Sequence, residues 1–103
     1  FAADGVSELL TCFITRPGGE LRADPAVRLR VRCTDAGGDW LVTIGPDRVV
    51  TTSPADAGDC VVTGPACDLY LALWNRRPAG ELTVRGDPAV LSLFLDRVHV
   101  RWS

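Results

Sequence analysis

The sequence predicts an α+β domain, in which a mixed, largely antiparallel sheet of about five strands carries three helices. Three observations lead to this prediction. The segment "VRLRVRC" at 27–33 alternates apolar residues with arginines, the period of two that is typical of a half-buried strand. Apolar residues at helical spacing recur in three separate segments. The second half of the chain twice runs from strand to helix to strand, an order that lays helices on the face of a sheet.

The first half of the chain predicts one helix followed by three strands. Asp4 is a candidate cap for the helix, and "RPGG" at 16–19 is a stop signal for it. After the strand at 27–33, "TDAGGDW" and "GPD" turn the chain into two further strands, at about 40–44 and 49–50. The three strands predict an antiparallel meander.

The second half predicts the remaining helices and strands. A short strand at 60–63 runs into a Gly-Pro pair, a usual way to open a helix, and a further strand follows at 81–85. Asp87 and Pro88 then predict the capped start of the third helix. The end of the chain, "HVRW" at 99–102, has the alternation of a last strand.

Length and composition predict one globular domain over residues 1–103, since hydrophobic residues make up 47% and charged residues 23%. The sequence contains no methionine, so we expect Phe1 to follow a longer preceding segment. No apolar run is long enough to predict a membrane span, and we expect a cytoplasmic protein. The net charge of -2 and the pI near 5.2 argue against nucleic acid as a partner.

Metal binding and catalysis have little support in the sequence. The four cysteines form no C-x-x-C pair, and one histidine cannot supply the ligand spacing of a structural zinc site. Each cysteine lies in an apolar pattern, which predicts a buried free thiol. No serine stands in a G-x-S-x-G elbow. We therefore expect neither a catalytic residue nor a metal ligand in this chain.

The helix that contains "DLYLALWNRRP", at 68–78, has an apolar arc wider than the ~100° stripe of a surface helix. One interpretation is packing, against the sheet and the third helix or against a neighbouring domain. The other is an apolar ligand pocket beneath the helix. The candidate pocket residues are Leu69, Leu73, Trp74, Leu91 and Phe94.

Two groups of arginines are candidate anion-binding residues. Arg76, Arg77 and Arg85 follow the wide helix and the next strand, where guanidinium groups can bind a carboxylate or complement the helix dipole. The three arginines of 27–33 predict a solvated strand face paired with nearby acids, with an anion-binding or interface role as the alternative.

Three stretches carry a family resemblance: "VTGPACDLYLALWNRRPAGELTVRGDPAVL" at 62–91, "DGVSELL" at 4–10 and "GGDWLVTIGPD" at 37–47. Together they resemble the C-terminal domain of the mycothiol-dependent maleylpyruvate isomerase family of actinobacteria, which is similar in fold to sterol carrier protein 2 (SCP2). The resemblance covers almost the entire chain. It implies that this chain is the excised C-terminal half of a longer two-domain protein.

In that family, the resemblance implies, an N-terminal helical domain holds the metal-binding histidines and the thiol chemistry. No cofactor is then expected in this chain, whereas the parent chain uses a divalent metal and mycothiol. The first functional hypothesis is an accessory domain that packs on the N-terminal domain and is not catalytic alone. The alternative is an SCP2-like binding module that holds a lipid or another hydrophobic small molecule. A third reading is self-association through the arginine strand or a terminal edge strand.

Overall fold

The computed structural model describes residues 2–13, 21–35, 37–54, 58–75 and 82–97. Within them the chain forms one five-stranded sheet with the strand order β3-β2-β1-β4-β5. Neighbouring strands are antiparallel except β1 and β4, which are parallel. This confirms the predicted α+β class and the mixed sheet. The strands are β1 (Val27–Cys33), β2 (Asp39–Ile44), β3 (Val49–Thr52), β4 (Cys60–Gly64) and β5 (Thr83–Gly86).

The helices correct the prediction of three regular helices. α2 (Ala66–Asn75) and α3 (Pro88–Arg97) have ten residues each, whereas the N-terminal helix is a seven-residue segment, α1 (Ala2–Glu8), that continues as a π-helical turn (Leu9–Phe13). The described part of the chain therefore carries two regular helices of full length. α1 also begins before Asp4, so that residue lies within the helix and does not cap it.

Two threonine hydroxyls give a physical reason for the π-helical turn. The Thr11 hydroxyl donates a 2.6 Å hydrogen bond to the Ser7 carbonyl, the acceptor that the Thr11 amide would use in an α-helix. The Thr51 hydroxyl, on β3, donates to the Leu10 carbonyl. Both hydroxyl groups donate to helix carbonyls that would otherwise depend on the backbone hydrogen bonds of a regular helix. A π-helical turn interrupts that backbone pattern, and with these hydroxyl donors it leaves fewer carbonyls without a partner.

The hydrophobic core lies on one face of the sheet, and we call this the inner face. Leu29 on β1 has Val42 of β2 and Cys60 of β4 as its cross-strand partners, and all three are fully buried. Val31 and Val62 form the next inner row. α3 packs against β1 and β4, α2 packs against β4, and α1 packs against α2. The helices thus cover the inner face, as the alternation of 27–33 predicts.

The opposite, outer face of the sheet carries Arg28, Arg30 and Arg32 of β1. The connection from β3 must cross to β4, and its end at Gly58 lies over this face, where an added Cβ would meet Arg28 and the Leu41 side chain. Leu41 is cross-strand to Arg30 and is only 5% exposed. Gly58 therefore lies against an apolar side chain that is buried on the face away from the core.

The start of α2 is capped by a residue distant in the sequence. The Asp35 carboxylate, after β1, accepts a 3.0 Å hydrogen bond from the Ala66 amide and a 3.3 Å hydrogen bond from the Cys33 thiol. The Ala66 amide is the larger cause, ahead of the Cys33 thiol, of the lowered pKa of Asp35. The Gly-Pro pair lies just before α2, as the sequence predicts. The first amide of α2 has its hydrogen-bond acceptor in Asp35, a residue of a distant loop.

We expect Asp35→Ala to lower the melting temperature at neutral pH, because the Ala66 amide loses its acceptor. The folded-state pKa of Asp35 is depressed, so its stabilisation is present above the usual pKa of 3.8 and is lost as pH falls through the folded value. The difference between the thermal melts of wild type and variant should therefore begin to shrink near pH 3.8 and disappear below the folded-state pKa. Asp47→Ala, at an exposed turn, is the control and should leave the melting temperature unchanged. A constant difference across the whole pH range would contradict the charged cap.

Several predicted features fall outside the described residues or have shifted bounds. The stop signal at 16–19 and the last strand at 99–102 lie outside them. β5 begins at Thr83, two residues after the predicted start at 81. The capped start of α3 is confirmed, because the Asp87 carboxylate accepts a 3.0 Å hydrogen bond from the Ala89 amide.

Candidate functional site

The proposed pocket residues lie within the core on the inner face. Leu69 and Phe94 are fully buried and Leu73 is 1% exposed, and these three belong to one apolar cluster. Leu91 is half-buried and packs against the same cluster. The Trp74 side chain lies outside the described part of the structure. Four of the five residues therefore come together, and the pocket itself stays a prediction.

The apolar arc of α2 faces two neighbours. α2 contacts β4 on one side, while α1 lies against it on another. Ala66, Leu69, Ala72 and Leu73 are all buried. The N-terminal helical segment therefore covers apolar surface of α2 that the sheet leaves open, and packing within the domain accounts for these four residues.

Arg85, the described member of the candidate anion-binding group, does not share the side of the sheet that holds the apolar cluster. Arg85 is cross-strand to Val61, whose β1 partner is Arg30, so it lies on the outer face, where it is exposed. Arg76 and Arg77 lie outside the described residues. Their convergence with Arg85 on an anion stays a prediction. Arg85 and the apolar cluster that contains Leu69 and Phe94 lie on opposite faces of the sheet.

The strongest described charge contact on the outer face joins β1 to β2. The Arg30 guanidinium donates two hydrogen bonds to the Asp39 carboxylate, with Nε to Oδ1 at 3.0 Å and Nη2 to Oδ2 at 2.6 Å. This bidentate bond is the main cause of the lowered pKa of Asp39, to which Arg32 adds a smaller effect. Pairing of the strand arginines with a nearby acid is thereby confirmed for Arg30.

We expect a double-mutant cycle of Arg30→Ala and Asp39→Ala to give a coupling energy of about 0.5–1 kcal/mol, because the pair is bidentate but still reaches solvent. Urea unfolding of the four proteins measures it. The coupling should shrink as NaCl is raised, since ions screen exposed pairs. A coupling that is zero at low salt, or one that does not respond to salt, would contradict the assignment.

Sequence reasoning missed the structural roles of two aspartates. The Asp59 carboxylate accepts a 2.8 Å hydrogen bond from the Arg28 amide, and the Asp59 amide donates to the Arg28 carbonyl at 2.9 Å. Asp59 thus joins the connection to the start of β1. Asp35 is the second case. Its contact with Ala66 spans 31 positions, and no local pattern signals such a pair.

Cys33 and Cys60 are buried free thiols, as the sequence predicts. Burial raises the pKa of the Cys60 thiol, and the charge of Asp87 adds to this, so the thiol remains protonated at neutral pH. Among the described residues, no three His, Cys, Asp or Glu side chains converge as a metal site. None of the described helices has the length and apolarity needed to cross a lipid bilayer.

Comparisons with solved structures show the fold. A structure described as a UbiJ-SCP2 ubiquinone synthesis protein has a TM-score of 0.65 and 23% identity, covering 91% of this chain and 90% of its own. Sterol carrier protein 2 like 2 from Aedes aegypti has a TM-score of 0.56 and 14% identity, covering 94% and 96%. A sec-alkylsulfatase from Pseudomonas sp. has a TM-score of 0.62 and 17% identity, and the match covers 78% of this chain but 14% of the enzyme. The fold is therefore SCP2-like.

Sequence comparison gives the family. No curated protein sequence matches this chain. The family model described as the MDMPI C-terminal domain matches residues 1–93, which include every described strand and most of α3. The chain belongs to this family, the SCP2-like C-terminal domain of the maleylpyruvate isomerase family.

Proposed function

We propose that this chain is the accessory C-terminal domain of a maleylpyruvate-isomerase-like protein, that it packs on the domain preceding it, and that it is not catalytic alone. The observation that carries the proposal is the family match over residues 1–93. A domain defined by its place at the C-terminus of a longer protein is expected to act through its neighbour. The longer protein supplies the reaction.

The locations of the side chains whose pKa values are shifted support a scaffold role. Active sites usually gather several such groups in one cleft. In the described part of the chain, Asp35 caps a helix, Asp39 pairs with Arg30, and the Cys60 thiol is buried in the core. Each perturbed group thus has a separate structural cause, and no buried polar or charged side chain is found among the described residues.

The proposal assigns the cofactors to the preceding domain. A divalent metal and mycothiol would bind there, and this domain would contribute packing surface and an anion-binding arginine at most. We place the whole protein in the cytoplasm of an actinobacterium. Its substrate class would be a small unsaturated acid of the maleylpyruvate type.

Calorimetry of the longer chain tests the packing. If the two domains pack on each other, they unfold in one coupled transition, and Phe94→Ala in this domain lowers the melting temperature of both. If they are independent, two transitions appear and the substitution moves only one of them. Ser92→Ala, exposed on the same helix, is the matched control and should move neither.

Turnover of the longer chain tests the catalytic part of the proposal. We expect isomerisation of maleylpyruvate with mycothiol and a divalent metal, and a loss of turnover in Phe94→Ala at temperatures where this domain has unfolded. Metal analysis should find the ion only when the preceding domain is present. Stoichiometric metal in this domain alone, or turnover by it, would contradict the proposal.

A lipid-binding module is the second candidate. It is favoured by the convergence of Leu69, Leu73 and Phe94 from two helices on the sheet, with the half-buried Leu91 at the margin. The sterol carrier name of one structural neighbour supports the same class of ligand. Native mass spectrometry should then find a bound apolar molecule that is lost on denaturation. Tryptophan emission that stays flat on titration with fatty acids and sterols would exclude this candidate.

A further inference from the structure

The outer face of the sheet is basic on the side of β5. Six neighbouring positions of β1, β4 and β5 form this part of the face, and we call it the arginine face. The six positions lie in two rows across the three strands, Arg30-Val61-Arg85 and Arg32-Thr63-Thr83. Each of them is exposed or half-buried, so the arginine face is open to solvent.

The charge of the arginine face is opposite in sign to that of the chain. Its three arginines and the neighbouring Asp39 give a net charge of +2, whereas the whole chain has a net charge of -2. Asp39 is already bound bidentately by Arg30. Among the described residues, no carboxylate lies within ion-pair distance of Arg32 or Arg85. These two guanidinium groups therefore have donors available for an anion from solution.

Arg32 and Arg85 are close enough to bind one anion together. They lie two strands and two residues apart, which places their Cα atoms roughly 12 Å apart. The guanidinium carbon of an extended arginine is five bonds from its Cα, a reach of roughly 6 Å. Hydrogen bonds of about 2.8 Å extend the reach of each side chain. Both arginines can therefore contact an anion above the midpoint between them, where Val61 and Thr63 form the surface.

The donors around this midpoint favour a multivalent oxyanion. Each guanidinium can donate two parallel hydrogen bonds, and the hydroxyl of Thr63, with that of Thr83 beside it, adds further donors. A carboxylate offers two oxygens and one negative charge. A phosphate monoester offers three acceptor oxygens and a charge of about -1.5 to -2 at pH 7. The phosphate monoester therefore matches both the number of donors and the net charge of the arginine face.

We propose that the arginine face binds the phosphate monoester group of a small molecule between Arg32 and Arg85. The site consists of residues of this chain alone, and it does not depend on the domain that precedes it. It lies on the opposite side of the sheet from the apolar cluster, so it is separate from the candidate lipid pocket. Because exposed ion pairs are weak, the dissociation constant lies in the millimolar range.

The test is a titration of this chain with glycerol 3-phosphate at constant ionic strength, followed by nuclear magnetic resonance. The Nε–H signals of Arg32 and Arg85 and the amide signal of Thr63 should shift and reach saturation. Arg32→Gln with Arg85→Gln should raise the dissociation constant by about fivefold or more. Arg48→Gln with Arg97→Gln removes two exposed arginines away from the arginine face and should leave the dissociation constant unchanged.

Acetate at the same ionic strength separates recognition of phosphate from attraction of any anion. It should bind more weakly than glycerol 3-phosphate, because it has one charge and two oxygens. Equal affinity for the two would show that the ligand class is wrong. The absence of a saturable shift at Arg32 and Arg85, or unchanged affinity in their double variant, would show that there is no such site. Binding only to vesicles that contain phosphatidic acid would mean that the face contacts a membrane instead. Circular dichroism should show that every variant remains folded.

Discussion

Phe94→Ala is expected to lower the free energy of unfolding by about 3–5 kcal/mol, because it removes a whole aromatic side chain from a closely packed core. Phe94 is fully buried on the α3 side that packs against β1 and β4. Domains of this size are stable by about 5–15 kcal/mol, so the expected loss removes a large share of the total stability. Urea denaturation followed by circular dichroism measures the change.

The control for Phe94→Ala is Ser92→Ala on the same helix. Ser92 is exposed, so the substitution should change the free energy of unfolding by less than about 0.5 kcal/mol. A Phe94 variant that loses less than about 1 kcal/mol would mean that the site is loosely packed or empty, as a ligand pocket requires. The measurement therefore bears on the choice between the two candidate functions.

Gly86→Ala is expected to cost roughly 2–5 kcal/mol, because two effects add. Gly86 has a φ of +88°, a conformation that side chains with a Cβ rarely adopt. An added Cβ would also overlap the Asp59 backbone carbonyl oxygen and would come within 3.2 Å of the Cys60 Cα. The obstacle is backbone, so it cannot move aside as a side chain does, and we expect β5 to separate from β4.

Gly37→Ala separates the two effects. Gly37 has a φ of +73°, but an added Cβ there meets nothing within 4 Å. This variant should therefore show only the conformational cost, about 1–2 kcal/mol. Equal losses at Gly37 and Gly86 in urea unfolding would contradict the close approach of β5 to the end of the connection.

The stretch at 62–91 that carries the family resemblance contains "GDP" at 86–88, where the last described strand ends, and the structure gives each of these three residues a role. Gly86 permits the close approach to Asp59, Asp87 caps α3, and Pro88 begins that helix. The Asp87 amide also donates a 2.9 Å hydrogen bond to the Asp59 carbonyl. The motif is thus explained by the strand-to-helix turn alone, and it is not evidence for catalysis.

The sequence by itself determined which side chains of β1 and α3 face the core. Alternation in 27–33 follows from the pleat of a strand, which fixes inward and outward positions without knowledge of the neighbours. The helical spacing of apolar residues likewise indicated that Phe94 faces the core. The Asp87 cap could be predicted from the sequence because the capping carboxylate and the amide that donates to it are two positions apart.

Only the tertiary structure decided the features that join distant segments. The cap of α2 by Asp35, the π-helical turn held by Thr51 and the burial of Leu41 each depend on residues far apart in the sequence. The separation of Arg85 from the apolar cluster depends on the register of β5 with β4. A local pattern fixes which face of its own strand or helix a residue occupies. Which other segment meets that face is set by the packing of the whole chain.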